Sequence, residues 1–221
     1  MLKDVIFDLD GVITDTAIFH FIAWKKLGEK LGIVISEEFN ENLKGVDRTE
    51  SLRRILALGN QENHYSEAEK AEFANEKNNF YVSLIEKVTP ADTLPGIATL
   101  LAELRANQIK IGLASASKNA PQILKNLGLT SQFDTIVDPA TLEQGKPHPE
   151  IFSKACNQLD VLPSEAVGVE DAYSGIQSIN DAHLLSIGIG DPATLNAADA
   201  VLADTSLLTY EKIIEIWQEK H

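Results

Sequence analysis

The chain has 221 residues, 44% hydrophobic and 24% charged, a globular composition that excludes collagen, disordered chains and membrane bundles. Nineteen basic against 33 acidic side chains give a formal charge of −14, which excludes the basic surface that nucleic-acid binding needs. No apolar run approaches the ~18 residues of a spanning helix, so no membrane partner is expected. The single cysteine, Cys156, admits no internal disulfide. Nothing in the first residues resembles a signal peptide, and the cytoplasm is the expected compartment.

In chain order, residues 5–7 form a short β-branched and aromatic run that predicts a buried strand ending in Asp8-Leu9-Asp10-Gly11. From about residue 16 to 87 the pattern is helical throughout. Ser66 with Glu69, and Asp47 with Glu50, predict capping boxes at two helix starts. Residues 89–96, with Pro90, Pro95 and Gly96, suit a hinge or linker. Ile97, Leu100, Leu101 and Leu104 then fall at helical spacing, followed by a polar turn at Asn107 and Gln108. Further strands are predicted at residues 109–114, 135–137, 166–169, 185–189 and 200–202. Alternating strand and helix implies a mostly parallel sheet covered on both faces. The expected fold is α/β, a Rossmann-like core of residues 1–15 and 92–221 with an all-helical cap domain, 16–91, inserted after the first strand.

The strand ends carry the chemistry. In an extended segment positions i and i+2 share a face, so Asp8 and Asp10 should point the same way where the strand gives out. Ligand crevices in open α/β sheets lie at these carboxyl ends. The strand at 166–169 runs into Glu170-Asp171, a second acidic pair at a carboxyl end. Taken alone, either pair also fits a solvated turn. Together they place four carboxylates near one point and call for a cation, best matched by Mg²⁺, which takes hard oxygen ligands and bridges to phosphate. In so acidic a chain, a metal ion would also remove the repulsion of an anionic substrate. Ser115-Ala116-Ser117-Lys118-Asn119 supplies hydroxyls and amides, and Lys146 an ammonium on the proline-flanked turn 145–149.

Asp8-x-Asp10-Gly11-Val12, Ser115, Lys146 and Glu170-Asp171, in this order, resemble the four motifs of the haloacid dehalogenase-like hydrolase and phosphotransferase superfamily. The helical insertion is similar to that family's cap. Asp15-Thr16-Ala17 with His20 and Trp24, the segment Leu43-Lys44-Gly45-Val46-Asp47-Arg48, and Lys77-Asn78 extend the likeness to its sugar-phosphate mutases. The resemblance implies Asp8 as a nucleophile that becomes an aspartyl phosphate, and Asp10 as general acid and base. It implies Mg²⁺ held by Asp8, the backbone carbonyl of Asp10, and Asp171, with Glu170 as a direct or outer partner. Ser115, Ala116 and Lys146 would hold the transferring phosphate. Arg48 is the candidate for a second, distal phosphate, with Ser117, Lys118 and Asn119 beside it. Thr16, Gly45, Val46, Ser51, His20 and Lys77 would complete the substrate pocket, while Trp24 fits packing between helices equally well.

The implied reaction interconverts β-glucose 1-phosphate and glucose 6-phosphate through glucose 1,6-bisphosphate. A sugar-phosphate phosphatase is the alternative, and a phosphosugar-binding module without turnover a third reading. One departure stands out. The mutase pattern has a serine where this chain has Ala172, removing a hydroxyl from the surroundings of the metal. No exposed apolar helix suggests an interface, so a monomer is expected.

Overall fold

A computed structural model describes residues 1–43 and 45–220. Lys44, part of the cap segment noted above, lies outside the described residues.

Six parallel strands form one sheet: β1 (Asp4–Phe7), β2 (Lys110–Leu113), β3 (Thr135–Ile136), β4 (Ala166–Glu170), β5 (Leu185–Ile189) and β6 (Ala200–Leu202). Their spatial order is β3-β2-β1-β4-β5-β6. The chain therefore reverses its direction of travel across the sheet at β1, the point where a ligand crevice opens in doubly wound sheets. β1 pairs in register with both neighbours, Phe7 opposite Leu113 and Val169. As a result the segments leaving β1, β2 and β4 emerge side by side on one rim.

Every residue of β1 and β4 is buried, as expected of strands covered on both faces. Side chains alternate between the two sides of the sheet. Val5 and Phe7 join a core with α5 (Ile97–Ala106), α6 (Ala120–Leu127) and α9 (Tyr210–Lys220). Ile6 faces the opposite layer, α7 (Glu150–Leu159) and α8 (Tyr173–Asp181). Strand boundaries differ from the sequence reading by a residue or so, as at β2, which starts at Lys110 instead of Ile109.

Between β1 and β2 lie α1 (Ala17–Leu31), α2 (Glu37–Glu41), α3 (Arg48–Leu58) and α4 (Glu67–Ile85). Trp24, Leu27, Ile33, Leu52, Ile55 and Leu56 form a core within these helices, separate from the two layers on the sheet. The α4 start is a full capping box: Ser66 Oγ accepts from Glu69 N, and Glu69 accepts from Ser66 N. The one expected at α3 is only half formed. Asp47 accepts from Thr49 N and Glu50 N, but Glu50 is drawn away by Arg53 at 2.7 Å and Arg54 at 2.9 Å. Two nearby guanidinium groups outcompete one backbone amide.

The proline-rich stretch at 89–96 is partly ordered by its own bonds. Residues Pro90–Asp92 form a 3₁₀ turn in which Asp92 Oδ2 accepts from Thr89 N and Oγ1, Leu94 N donates to Ile13 O, and Thr14 Oγ1 donates to Asp92 O. The two chain segments that join helices and sheet thus run pinned to each other. Among the described residues no helix is long and apolar enough to cross a membrane.

Candidate active site

Asp8 is the first residue past β1, its backbone N–H still bonded to Val169 O in the ladder. The chain then turns at Gly11, whose φ of 75° is left-handed. A Cβ there would also lie 2.2 Å from Asp171 Oδ2, so glycine is required by conformation and by space. A second glycine serves Glu170. A Cβ at Gly175, in the first turn of α8, would sit 2.0 Å from Glu170 Cδ and Oε2. These two positions let the acids at the end of β4 close against the end of β1.

Asp8, Glu170 and Asp171 bring carboxylate oxygens within 4.8 Å of one another. Lys146, its side chain fully buried, reaches between two of them, with Nζ 2.6 Å from Asp8 Oδ1 and 2.7 Å from Glu170 Oε2. The remaining oxygen of Glu170 accepts from the N–H groups of Asp171 and Ala172. Burial works against charge on Lys146, but Asp8 and Glu170 outweigh it and its pKa is raised, so the ammonium is held protonated. Burial and the charge of Asp8 raise the pKa of Glu170, with Lys146 opposing. Three carboxyl groups beside one lysine form a hard-oxygen cluster, a donor set that fits a divalent cation.

The expectation of four converging carboxylates needs correction. Asp10 is not in the cluster, because its side chain turns to the hydroxyl of Thr16, which donates to Oδ1. Thr16 Oγ1 is also 3.2 Å from the hydroxyl of Tyr81. The ladder ends at Asp8, and the turn through Gly11 cancels the i, i+2 rule for the next residue. Burial first, and the charge of Asp8 second, raise the Asp10 pKa to about 7. A carboxyl that holds and releases a proton near neutrality is suited to general acid and base work.

A cavity of about 550 Å³ opens over the cluster. It is lined from the sheet side by Asp8, Asp10, Ser115, Ala116, Ser117, Lys118, Asn119, Lys146 and Asp171, and from the helical side by His20, Trp24, Gly45, Val46, Arg48, Ser51 and Lys77. Two of the expected site residues, Thr16 and Glu170, stand behind this lining and hold residues of it. Ser115 follows β2, is buried, and accepts from Ser117 N; Ser117 Oγ in turn accepts from Asn119 N. Ser51 is turned to Val46, its hydroxyl donating to the carbonyl at 3.4 Å. Trp24 is both packing and wall: it belongs to the helical core, and Lys77 Nζ lies 4.4 Å from its ring centroid.

Lys77 is buried, with Nζ 2.8 Å from His20 Nδ1. Burial, then the charge of Arg48, lowers its pKa to about 7. The same burial, with Lys77 and Arg48, holds His20 well below its ordinary value and therefore neutral. Arg48 Nη2 donates to Asn78 Oδ1 at 2.7 Å. Asn78 and Tyr81 are the residues that sequence reading missed as site components. Asn78 stood in the quoted Lys77-Asn78 pair without a role, and Tyr81, fully buried, reads as core from sequence.

Strand ends that bring acids, a serine and a buried lysine to one rim, beneath helices inserted after the first strand, define a capped α/β enzyme. The chain belongs to the haloacid dehalogenase-like hydrolase family, whose pattern residues 2–183 match. It is 49% identical to β-phosphoglucomutase of Bacillus subtilis strain 168 over 218 residues, 99% of this chain and 96% of that protein. The phosphorylated carbohydrates phosphatase of Thermotoga maritima is 29% identical, covering 99% of each chain. A crystal structure of β-phosphoglucomutase from Clostridium difficile superposes with a TM-score of 0.98 at 50% identity, covering 100% of this chain and 99% of that one.

Proposed function

We propose that the protein is an Mg²⁺-dependent β-phosphoglucomutase that interconverts β-glucose 1-phosphate and glucose 6-phosphate. The observation that carries this reading is a cavity with two separate cationic groups, Lys146 on the sheet side and Arg48 on the helical side. A mutase needs both, since its bisphosphate must present one phosphate to the nucleophile while the other is held elsewhere. Near-full-length likeness to two mutases at 49% and 50% supports it over the phosphatase reading, whose relative stands at 29%.

Asp8 attacks phosphorus in line, the P–O bond to the sugar breaks, and an aspartyl phosphate forms. Lys146 offsets the negative charge of the phosphoryl oxygens as the nucleophile approaches. Asp10 gives its proton to the departing sugar oxygen and later takes one from the attacking hydroxyl; a pKa of about 7 suits both directions. Ser115 and the amide of Ala116 donate to the phosphoryl group, and Arg48, with Ser117, Lys118 and Asn119, takes the distal phosphate. His20 and Lys77 face the sugar. Asp8, Asp171 and the backbone carbonyl of Asp10 are the residues assigned to Mg²⁺, with Glu170 placing Lys146 and the loop behind. When bound, Mg²⁺ supplies positive charge to the phosphoryl oxygens. The helices of residues 16–91 act as the cap over a core of 1–15 and 92–221, shielding the aspartyl phosphate from water.

Phosphorus NMR of the protein with β-glucose 1-phosphate, Mg²⁺ and a trace of glucose 1,6-bisphosphate tests the reading. Glucose 6-phosphate without matching phosphate release is expected, and Asp8→Asn should lower turnover by more than about 10⁴-fold. Inorganic phosphate as the main product would replace the mutase with a phosphatase.

A further inference from the structure

One side-chain carbonyl joins the two walls of the cavity. Asn78 lies on α4, and its Oδ1 accepts from Arg48 Nη2 at 2.7 Å and from Asn119 Nδ2 at 2.9 Å. Arg48 opens α3 in the helical insertion, whereas Asn119 precedes α6 on the sheet side. A guanidinium has no acceptor to offer, so the oxygen of Asn78 must face it and both lone pairs are engaged. The bond to Asn119 spans insertion and core, and it exists only while the two are closed upon each other.

The neutrality of this partner matters. Among the described residues no carboxylate pairs with Arg48, and burial lowers its pKa. A carboxylate at position 78 would orient the guanidinium equally well but cancel its charge. An amide orients it and leaves the charge for an anion from solution. The same oxygen also reports on closure, since the Asn119 bond is its other commitment.

We propose that Asn78 is a positioning residue whose side-chain carbonyl ties the aim of Arg48 to closure of the cap, and thereby sets how often the aspartyl phosphate meets a sugar hydroxyl instead of water. This rests on the mutase reading above. In the closed form the guanidinium is held toward the cavity and the cap is latched to the core. Without the carbonyl, the cap loses a latch and Arg48 loses its orientation together.

The test follows glucose 6-phosphate and inorganic phosphate in one phosphorus NMR experiment for wild type, Asn78→Ala, Asn78→Asp, Asn119→Ala and the Asn78→Ala/Asn119→Ala double variant. Asn78→Ala should raise phosphate released per glucose 6-phosphate formed by about tenfold, the scale of losing a hydrogen bond to a charged group. It should also raise KM for glucose 1,6-bisphosphate. Asn119→Ala should raise the phosphate ratio, and the double variant should exceed Asn78→Ala by nothing further, because one bond is being removed twice. Asn78→Asp keeps an acceptor for both donors but neutralises Arg48, so KM for the bisphosphate should rise while the phosphate ratio stays near wild type. A uniform fall in kcat with the ratio and KM unmoved would overturn the proposal, as would additive effects in the double variant. If Asn78→Ala does not fold, an unchanged KM in Asn78→Asp overturns it. Wild type reports separately on the underlying reading: phosphate with no glucose 6-phosphate sinks the mutase assignment, and the latch is then judged on KM for β-glucose 1-phosphate, which Asn78→Ala must raise.

Discussion

Asp4 opens β1 and Asp8 follows its last residue, so one strand carries a buried aspartate at each end. Asp8 receives Lys146 Nζ at 2.6 Å. Asp4 receives nothing: among the described residues neither of its carboxylate oxygens has a hydrogen-bond partner. A lysine does stand beside it, Lys110, opposite Asp4 in the β1–β2 register, but its ammonium donates to Leu159 O. Burial accordingly raises the Asp4 pKa to about 7, with Lys110 opposing. The difference follows from topology. Parallel strands deliver loops from β1, β2 and β4 to one rim, where distant residues such as Lys146 can converge. At the opposite end Asp4 lies near Lys110, Glu165 and Cys156 of α7, and none of them bonds to its carboxylate. Asp8 at the carboxyl rim has a cation against it, whereas Asp4 at the amino rim has none and holds its proton up to about pH 7.

Removing the matching lysine should break this contrast and has the largest expected effect. Lys146→Ala leaves Asp8 and Glu170 buried without their cation, the situation of Asp4 twice over. Breaking one side of a buried pair costs about 3–5 kcal/mol of stability. Urea unfolding in the presence of a chelator should register that loss, with metal unable to take the place of the ammonium. Turnover should fall by at least about 10³-fold, since a fixed positive group at developing phosphoryl charge is lost. Unchanged unfolding would mean that the two ends of β1 do not differ as described.

How much of this was legible in the sequence divides along the same line. The alternation of apolar runs revealed the strands and the helical insertion, because the central strands β1, β4 and β5 are buried on both faces and so read as mostly apolar runs. Asp8, Lys146, Glu170 and Asp171 were found through motif order, and the structure brings them into one cluster. The turn of Asp10 onto Thr16 was not legible, since a period-two rule holds only while the chain remains extended. Nor was Asn78, because its importance depends on Arg48 and Asn119, 30 and 41 positions away. Asp4 read as an ordinary acidic start to a strand. Nothing in its neighbours along the chain signals that packing would strip it of water.

The solitary acid has a consequence for pH. Asp4 has an ordinary value of 3.8 when unfolded and about 7 when folded. Between these values the folded chain keeps a proton that the unfolded chain has released, so stability falls as pH rises from about 4 to 7. The whole shift corresponds to at most about 4 kcal/mol. Asp10 and Glu170 are raised in the same direction, so the wild-type curve alone does not isolate Asp4. The difference between Asp4→Asn and wild type does, because the site lies at the far end of the strand. That difference should be near zero at pH 4 and grow in favour of the variant to about 2–4 kcal/mol at pH 8. A difference independent of pH would show that Asp4 is ionised in the fold.

The smallest expected effect comes from Lys110, and it sharpens the contrast between the two lysines. Lys110 is exposed, whereas the side chain of Lys146 is fully buried. Lys110 lowers the Asp4 pKa from across the strand pair, so Lys110→Met should move the Asp4 titration to higher pH. Removing a solvent-exposed partner costs less than about 1 kcal/mol, and only from about pH 7 upward, where the folded Asp4 is ionised. Screening separates the two cases further. In about 1 M salt the Debye length falls to roughly 3 Å, so the electrostatic influence of Lys110 on Asp4 should largely vanish and the variant and wild type should titrate alike. The Lys146 pair is shut away from ions, and the loss caused by Lys146→Ala should persist undiminished in the same salt. Equal salt sensitivity at both positions would place the two lysines in the same dielectric and remove the distinction between the ends of β1.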